Sequence, residues 1–246
     1  MRAGGRALLA LAALVAATAP ALAACPGTAM PQPRETIPAP LEWAEWRTMV
    51  DALALRLRGP EVARAQLVFV GDSITQGWHP NVFQNFYGHR AAINLGIGGD
   101  TTQSLLWRLE NGNWPARLQP QAIVLLVGTN NIGAGNRPED VAAGVAQVIA
   151  RLQRLAPQAR ILLLGVLPRG ITAADPMRAP VGRLNQLMAS CADGRRVFYA
   201  EPGALMLDGQ GTLFDWIAHD WLHLTMTGYA MLATAIELPL RAVLQR

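Results

Sequence analysis

The stretch LVFVGDSITQGW (67–78) joins an apolar run to a glycine, a carboxylate and a hydroxyl. An unbroken run of Leu, Val and Phe is typical of a strand buried on both faces of a parallel sheet. Gly71, Asp72 and Ser73 end that run, and a turn followed by a helix cap would explain them structurally. The alternative is that Ser73 is presented for chemistry, because open parallel sheets bind ligands at the carboxyl ends of their strands.

Four further segments resemble this first strand in composition. The five strand candidates are QLVFVG (66–71), AAINLGI (91–97), AIVLLVG (122–128), ILLLGVL (161–167) and RVFYAE (196–201). Helical patterns lie between or before them. The clearest is PEDVAAGVAQVIARLQRL (138–155), which has proline and acids in its first turn and valines at helical spacing. A second helix is predicted within 43–59. This alternation indicates an α/β domain with a parallel sheet covered by helices on both sides.

Composition restricts the class of protein. The chain has 246 residues, 51% of them hydrophobic and 15% charged, which fits one globular domain with a large core. The formal charge is +4, and all 21 basic residues are arginine, but these arginines are scattered without a basic stripe. We therefore expect no nucleic-acid binding.

The first 24 residues have the features of a signal peptide. Positive charge precedes the short apolar core ALLALAALVA, and small residues follow it. Cleavage after Ala23 would suit an ordinary signal peptidase, whereas Leu-Ala-Ala-Cys resembles a bacterial lipobox that would place a lipid anchor on Cys25. Both alternatives predict an exported bacterial protein, in the periplasm, secreted or held at the membrane as a lipoprotein. Residues 25–42 are proline-rich and predict a linker, and the folded domain is expected over 43–246.

The sequence allows two chemical states for the two cysteines. Cys25 and Cys191 could form a disulfide, but two cysteines do not define a disulfide framework. Alternatively Cys25 is lipidated and Cys191 is a small buried residue of an apolar helix. No spacing of ligands indicates a metal site.

Several residues that could support acyl transfer follow the strand candidates. Such a reaction needs a nucleophile, a base, an orienting acid and donors for an oxyanion. Ser73 supplies a hydroxyl, His223 a base in the working pH range, and Asp220 a carboxylate three residues before it. Gly99 and Asn130 offer a backbone N–H and a side-chain amide, and the Ser73 N–H is a third oxyanion donor.

These residues lie in four blocks, GDSITQG, GIGGD, GTNN and DWLHL, whose order and spacing resemble the SGNH (GDSL) hydrolase family. Longer blocks, including NLGIGGDTTQSLLWRLENG and DWLHLTMTGYA, resemble the catalytic subunits of platelet-activating-factor acetylhydrolase IB. The resemblance implies a flavodoxin-like three-layer α/β/α sandwich with five parallel strands. It also implies Ser73, Asp220 and His223 as the triad and Ser73, Gly99 and Asn130 as the oxyanion hole.

The same resemblance implies an esterase without cofactor or metal, and it allows a homodimer. It places Ile74, Thr129 and Leu222 around a small acyl pocket, although Ile74 could simply pack under a helix. The expected substrate is a small-molecule, lipid or carbohydrate ester carrying a short acyl group such as acetyl. The related subunits are cytosolic, so their natural substrate is not carried over.

Three neighbouring residues are expected to have no catalytic role. His219 adjoins the acid, but the motif places the base three residues after the acid, which favours His223. Asp72 and Asp100 are expected to hold turns by accepting hydrogen bonds from backbone N–H groups.

Three alternative functions remain from the sequence. They are acyl transfer to an alcohol, a lipase or lysophospholipase with longer acyl chains, and a catalytically inactive carbohydrate-binding module. The intact set of serine, glycine, asparagine and histidine argues against the last.

Overall fold

The computed structural model describes Cys25 and residues 32–245. Its centre is a sheet of five parallel strands, β1 (Leu67–Gly71), β2 (Ala92–Asn94), β3 (Ala122–Leu126), β4 (Arg160–Leu164) and β5 (Val197–Ala200). The strands lie in the order β2-β1-β3-β4-β5, so the direction of winding reverses at β1. Ligands of open α/β sheets bind at such a reversal, beyond the carboxyl ends of the strands, and Ser73 follows β1 there.

Helices cover both faces of the sheet. The eight α-helices of the described residues are α1 (Ala44–Arg56), α2 (Ser73–Gln76), α3 (Pro80–Tyr87), α4 (Thr102–Glu110), α5 (Thr129–Gly133), α6 (Pro138–Leu155), α7 (Arg178–Ala189) and α8 (Met226–Leu244). Apolar residues of α1, α4, α6 and α7 form one core with alternate strand residues such as Val68 and Ile123. The remaining strand residues, such as Phe69 and Val124, pack against α3 and α8. The predicted three-layer α/β/α fold is therefore present.

The five predicted strands all form, but most of them end earlier than their apolar runs. Val127 and the pair Val166 and Leu167 follow the ends of β3 and β4, yet each is almost fully buried. Their apolar character therefore reflects burial in the two cores that flank the sheet, which extend past the strand ends. The predicted helix over 138–155 coincides with α6.

The proline-rich segment lies only partly within the described residues. Its part from 32 to 42 packs on the domain, where a short 3-10 helix (Arg34–Thr36) contacts α4 and α6. The Thr102 hydroxyl donates to the Glu35 carbonyl over 2.8 Å, and Glu35 itself is buried. A disulfide joins Cys25 to Cys191, just beyond the end of α7. The predicted signal peptide at 1–24 lies outside the described residues.

Candidate active site

The turn after β1 presents the serine. Asp72 caps α2, because its Oδ1 accepts a hydrogen bond from the Ile74 N–H over 3.0 Å. This bond agrees with the turn-holding role expected for Asp72. Its other oxygen, Oδ2, is buried without a hydrogen-bond partner among the described residues. Burial raises the pKa of Asp72 to about 7, against the opposing effect of the Ile74 N–H.

Ser73, His223 and Asp220 form a continuous hydrogen-bonded chain. Ser73 Oγ lies 3.0 Å from His223 Nε2, and His223 Nδ1 lies 2.7 Å from Asp220 Oδ2. Because an ionised carboxylate only accepts hydrogen bonds, Nδ1 carries the proton and Nε2 can accept one from the serine hydroxyl. This is the geometry that general-base activation of a serine requires.

A tight turn holds the acid beside the base. Asp220 Oδ1 accepts the backbone N–H groups of Leu222 and His223, at 3.1 and 2.6 Å. Burial alone would raise the pKa of Asp220, but the hydrogen bonds from His223 outweigh it and lower this pKa to about 2. Trp221, within the turn, has a left-handed backbone with φ of 57°, which for a non-glycine residue costs roughly 1–3 kcal/mol. Its carbonyl accepts the Gly170 N–H over 2.9 Å, so the loop after β4 supports this conformation.

Two of the expected oxyanion donors, Gly99 and Asn130, are linked through the backbone of Asp100. Gly99 has a φ of 81°, which suits glycine, and its N–H has no acceptor among the described residues. The Asn130 amide donates one hydrogen to the Asp100 carbonyl over 2.9 Å, which leaves its second N–H for another acceptor. Because Asp100 directly follows Gly99, this bond joins the loop after β2 to the start of α5.

The side chain of Asp100 corrects one expectation. It accepts no backbone N–H; its partners are the Trp46 indole N–H at 2.9 Å, the Ser104 hydroxyl at 2.9 Å and the Arg108 Nε–H at 2.5 Å. Asp100 and Arg108 are both fully buried, and Arg108 also donates to the carbonyls of Gly71 and Leu95. This cluster ties α1 and α4 to the two loops beside Ser73. Local sequence pattern could not predict this cluster, because Trp46 lies 54 positions before Asp100.

The three residues expected around the acyl group lie in different surroundings. Ile74 is buried in the core beneath α3 and α8, consistent with the packing role left open for it. Thr129 is also buried, and its carbonyl and hydroxyl accept from Arg169 Nη1 at 3.1 and 3.3 Å. Leu222 and Arg169 line one cavity of about 370 Å³. Thr129 and Leu222 are therefore linked through Arg169, a residue to which sequence analysis gave no role.

The described residues contain neither a membrane-spanning helix nor a cluster of metal ligands. None of their helices is both long and apolar enough to cross a bilayer. Within the same part of the chain, no group of three or more His, Cys, Asp or Glu side chains is arranged to hold a metal ion.

A serine, histidine and aspartate in hydrogen-bonded series at the strand ends of an α/β sandwich are the arrangement of a serine hydrolase. Residues 69–231 match the family described as GDSL-like Lipase/Acylhydrolase. The chain belongs to this family, and it is a hydrolase of ester substrates.

One relative agrees with this assignment, and two solved structures share the fold. Platelet-activating factor acetylhydrolase IB subunit alpha1 from Bos taurus is 37% identical over 176 residues, which cover 70% of this chain and 73% of the relative. A GDSL-like lipase from Bacteroides thetaiotaomicron shares the fold with a TM-score of 0.61 and 23% identity, over 78% of this chain and 98% of the other. An acetylxylan esterase from Geobacillus stearothermophilus gives a TM-score of 0.57 and 20% identity, over 72% and 93%.

Proposed function

We propose that the protein hydrolyses short-chain carboxylic esters, acetyl esters first, through an acyl-enzyme on Ser73. The observation that carries this proposal is the series Ser73–His223–Asp220, with distances of 3.0 and 2.7 Å. Ser73 Oγ attacks the ester carbonyl carbon while its proton passes to His223 Nε2. That proton then protonates the departing alcohol oxygen. Water attacks the acyl-enzyme by the same route and releases the acid and free Ser73.

Three N–H donors would stabilise the transition state. The backbone N–H groups of Ser73 and Gly99 and the second N–H of Asn130 would donate to the oxygen that gains negative charge as the carbonyl is attacked. Asp220 would hold the imidazole in the tautomer that accepts the serine proton and would stabilise the imidazolium that forms. The left-handed Trp221 keeps that carboxylate within reach of His223.

The expected preference for a short acyl group depends on the residues that lie beside Ser73 in the direction of β3 and β4. Thr129 is buried and bonded to Arg169, and Leu222 stands between the acid and the base in the sequence. Extra methylenes would each gain about 0.8 kcal/mol on burial in an open pocket. In a closed pocket they would cost about 1–3 kcal/mol of overpacking, which is the larger effect. The resemblance to an acetylhydrolase supports the closed alternative.

A series of p-nitrophenyl esters from acetate to octanoate tests this function. We expect kcat/KM to fall from acetyl to butyryl and to become negligible at octanoyl, with Leu222→Ala relaxing the preference toward longer chains. Ser73→Ala is the control for background hydrolysis. Activity that rises steadily to octanoate would assign the protein to the lipase and lysophospholipase side of the family. Acyl transfer to an added alcohol in preference to water would make it an acyltransferase.

We also propose that the protein is exported and that Cys25 bears a disulfide and no lipid. Disulfides persist in oxidising compartments, and the Cys25 sulfur that bonds Cys191 cannot also carry a thioether-linked lipid. Mass spectrometry of the protein from bacterial cells, with and without reduction, tests this. We expect cleavage after Ala23 and a mass gain of two hydrogens on reduction. An intact Met1 would contradict export, and a diacylglyceryl Cys25 would contradict the disulfide.

A further inference from the structure

A short connector, residues 169–171, lies between the two halves of the candidate active site. It belongs to the loop that follows β4. On one side of it is α5, which carries the proposed oxyanion donor Asn130. On the other side is the tight turn that holds the acid of the triad beside its base. The hydrogen bonds of the connector determine how these two halves are held relative to each other.

The side chain of Arg169 attaches the connector to α5. Its Nη1 donates to the Thr129 carbonyl over 3.1 Å and to the Thr129 hydroxyl over 3.3 Å. Thr129 is almost fully buried, and its carbonyl belongs to the same peptide group as the backbone nitrogen of Asn130. A side chain on Gly133 would lie 2.9 Å from Nη1, so this glycine leaves room for the guanidinium against α5. Arg169 therefore restrains the backbone from which the Asn130 amide projects.

The guanidinium of Arg169 is a charged donor without an acid beside it. None of the ion pairs among the described residues includes Arg169. Within the same part of the chain, its side chain donates hydrogen bonds to the two oxygens of Thr129. Hydrogen bonds from an ionised donor are stronger than those between neutral groups. Removal of this side chain would therefore release α5 from the loop after β4.

The backbone of Gly170 attaches the connector to the triad. Its N–H donates to the carbonyl of Trp221 over 2.9 Å, and Trp221 is the left-handed residue that directly follows Asp220. Gly170 has a φ of 79°, and a side chain on it would collide with the Asp175 carboxylate. Glycine is therefore required at the position that supports the turn of the triad.

The backbone of the connector is itself anchored. Arg178, at the start of α7, donates from Nε to the Arg169 carbonyl over 2.7 Å and from Nη2 to the Gly170 carbonyl over 2.8 Å. The Ile171 carbonyl accepts the Leu213 N–H over 2.8 Å, which adds a bond to the loop that leads to the turn of the triad. These bonds give the Arg169 side chain a fixed base from which to hold α5.

We propose that Arg169 is a positioning residue for ester hydrolysis, which ties α5 to the turn of the triad and so keeps Asn130 in place relative to Ser73. This proposal rests on the proposed function, because it needs Asn130 to donate to the oxyanion. An oxyanion donor is effective only when it is already held about 2.7–3.1 Å from the place where the charge develops. Loss of Arg169 should therefore weaken binding of the transition state more than binding of the substrate.

A double-mutant cycle with Asn130 tests this role. In Arg169→Ala, kcat for p-nitrophenyl acetate should fall roughly ten- to hundred-fold with little change in KM, because a small displacement of a catalytic group has effects of this size. In the Asn130→Ala background the same change should lower kcat by less than about twofold, since the donor that Arg169 positions is already absent. Arg137→Ala is the matched control, because this arginine follows α5 and its side chain is 75% exposed. A loss of equal size in both backgrounds, or a loss confined to KM, would overturn the proposal.

Hydrogen exchange tests the same contact without turnover. Exchange of the backbone N–H groups over 129–136, followed by mass spectrometry, should be about tenfold faster in Arg169→Ala than in the wild type and unchanged in Arg137→Ala. Unchanged exchange in Arg169→Ala, in an enzyme that hydrolyses esters, would overturn the positioning role alone. A wild type that hydrolyses no ester would contradict the proposed function and, with it, any catalytic role for this contact.

Discussion

Two pairs of aspartate with a basic side chain lie near Ser73, and they differ most in their access to solvent. Asp100 and Arg108 have no exposed side-chain surface, whereas Asp220 and His223 expose 45% and 39%. The buried pair is fixed by Trp46, Ser104 and two backbone carbonyls. The exposed pair is fixed by two backbone N–H groups within one turn.

The difference indicates that the buried pair holds the loops in place, whereas the exposed pair is available for proton transfer. A buried ion pair is costly to break, because the partner left behind is an unpaired charge in the interior. Such a pair suits the loops of the proposed oxyanion hole, which must keep their geometry. The proposed base, His223, would instead exchange protons with substrate and water, which suits its partly exposed position, where hydrogen bonds to Ser73 and Asp220 set its orientation.

The largest loss of kcat is expected when His223, the base of the exposed pair, is replaced. His223→Ala removes the group that accepts the Ser73 proton, and we expect kcat to fall by a factor on the order of 10⁴ or more with the fold intact. His219→Ala is the matched control, because its ring lies 6.2 Å from that of His223 and adjoins the same acid in sequence. Steady-state kinetics with p-nitrophenyl acetate measures both. Near-normal turnover by His223→Ala together with inactivity of His219→Ala would reverse the assignment of the base.

Amide substitution of the two acids compares the pairs directly. Asp220→Asn should lower kcat by about 10³- to 10⁴-fold, because the amide no longer selects the required tautomer, with little change in stability. Asp100→Asn should lower the free energy of unfolding by about 3–5 kcal/mol, because Arg108 loses its buried counter-charge. Urea unfolding and kinetics on both variants measure these effects. Similar losses in the free energy of unfolding for the two variants would mean that burial does not make the Asp100–Arg108 pair more important for stability than the Asp220–His223 pair.

Removal of the proposed oxyanion donor Asn130 should lower kcat less than the changes to His223 and Asp220. Asn130→Ala should lower kcat by roughly 10²- to 10³-fold with a smaller change in KM, because its amide binds charge that exists only in the transition state. Asn111→Ala, which removes an exposed asparagine beyond the end of α4, is the control. An effect confined to KM would instead assign Asn130 to substrate binding.

The smallest effect concerns Asp72, a buried acid without a basic partner. Its raised pKa, about 7 in the folded protein, means that stability is greatest below its unfolded pKa near 4 and is lost as the pH rises to 7. Asp72→Asn removes this titration and retains an acceptor for the Ile74 N–H. We therefore expect the fall in Tm between pH 4 and pH 8 to be a few degrees smaller in the variant than in the wild type.

Asp51→Asn, an exposed acid of α1, is the control for Asp72→Asn. Parallel Tm curves for the wild type and Asp72→Asn across this range would show that folding does not raise the pKa of Asp72.

Local pattern was enough to predict most of the fold. Uninterrupted apolar runs identified all five strands, and helical spacing identified α6 over its full length. Strand ends were less well predicted, because Val166 and Leu167 are buried in the cores beyond the end of β4 without pairing in the sheet. The Asp220–His223 contact was also predictable, since three residues in a tight turn bring acid and base together.

The sequence by itself determined the layers, the parallel sheet and the set of polar residues at its carboxyl edge, because each depends on neighbours along the chain. Only the tertiary structure decided which distant groups meet. It paired Cys25 with Cys191, placed the Trp46 indole on Asp100, and set Trp43 beside Gly99. These contacts join segments far apart in sequence, and their partners are fixed by the packing of α1 and α7 on the sheet. No periodicity encodes them, so they emerge only when the chain is folded.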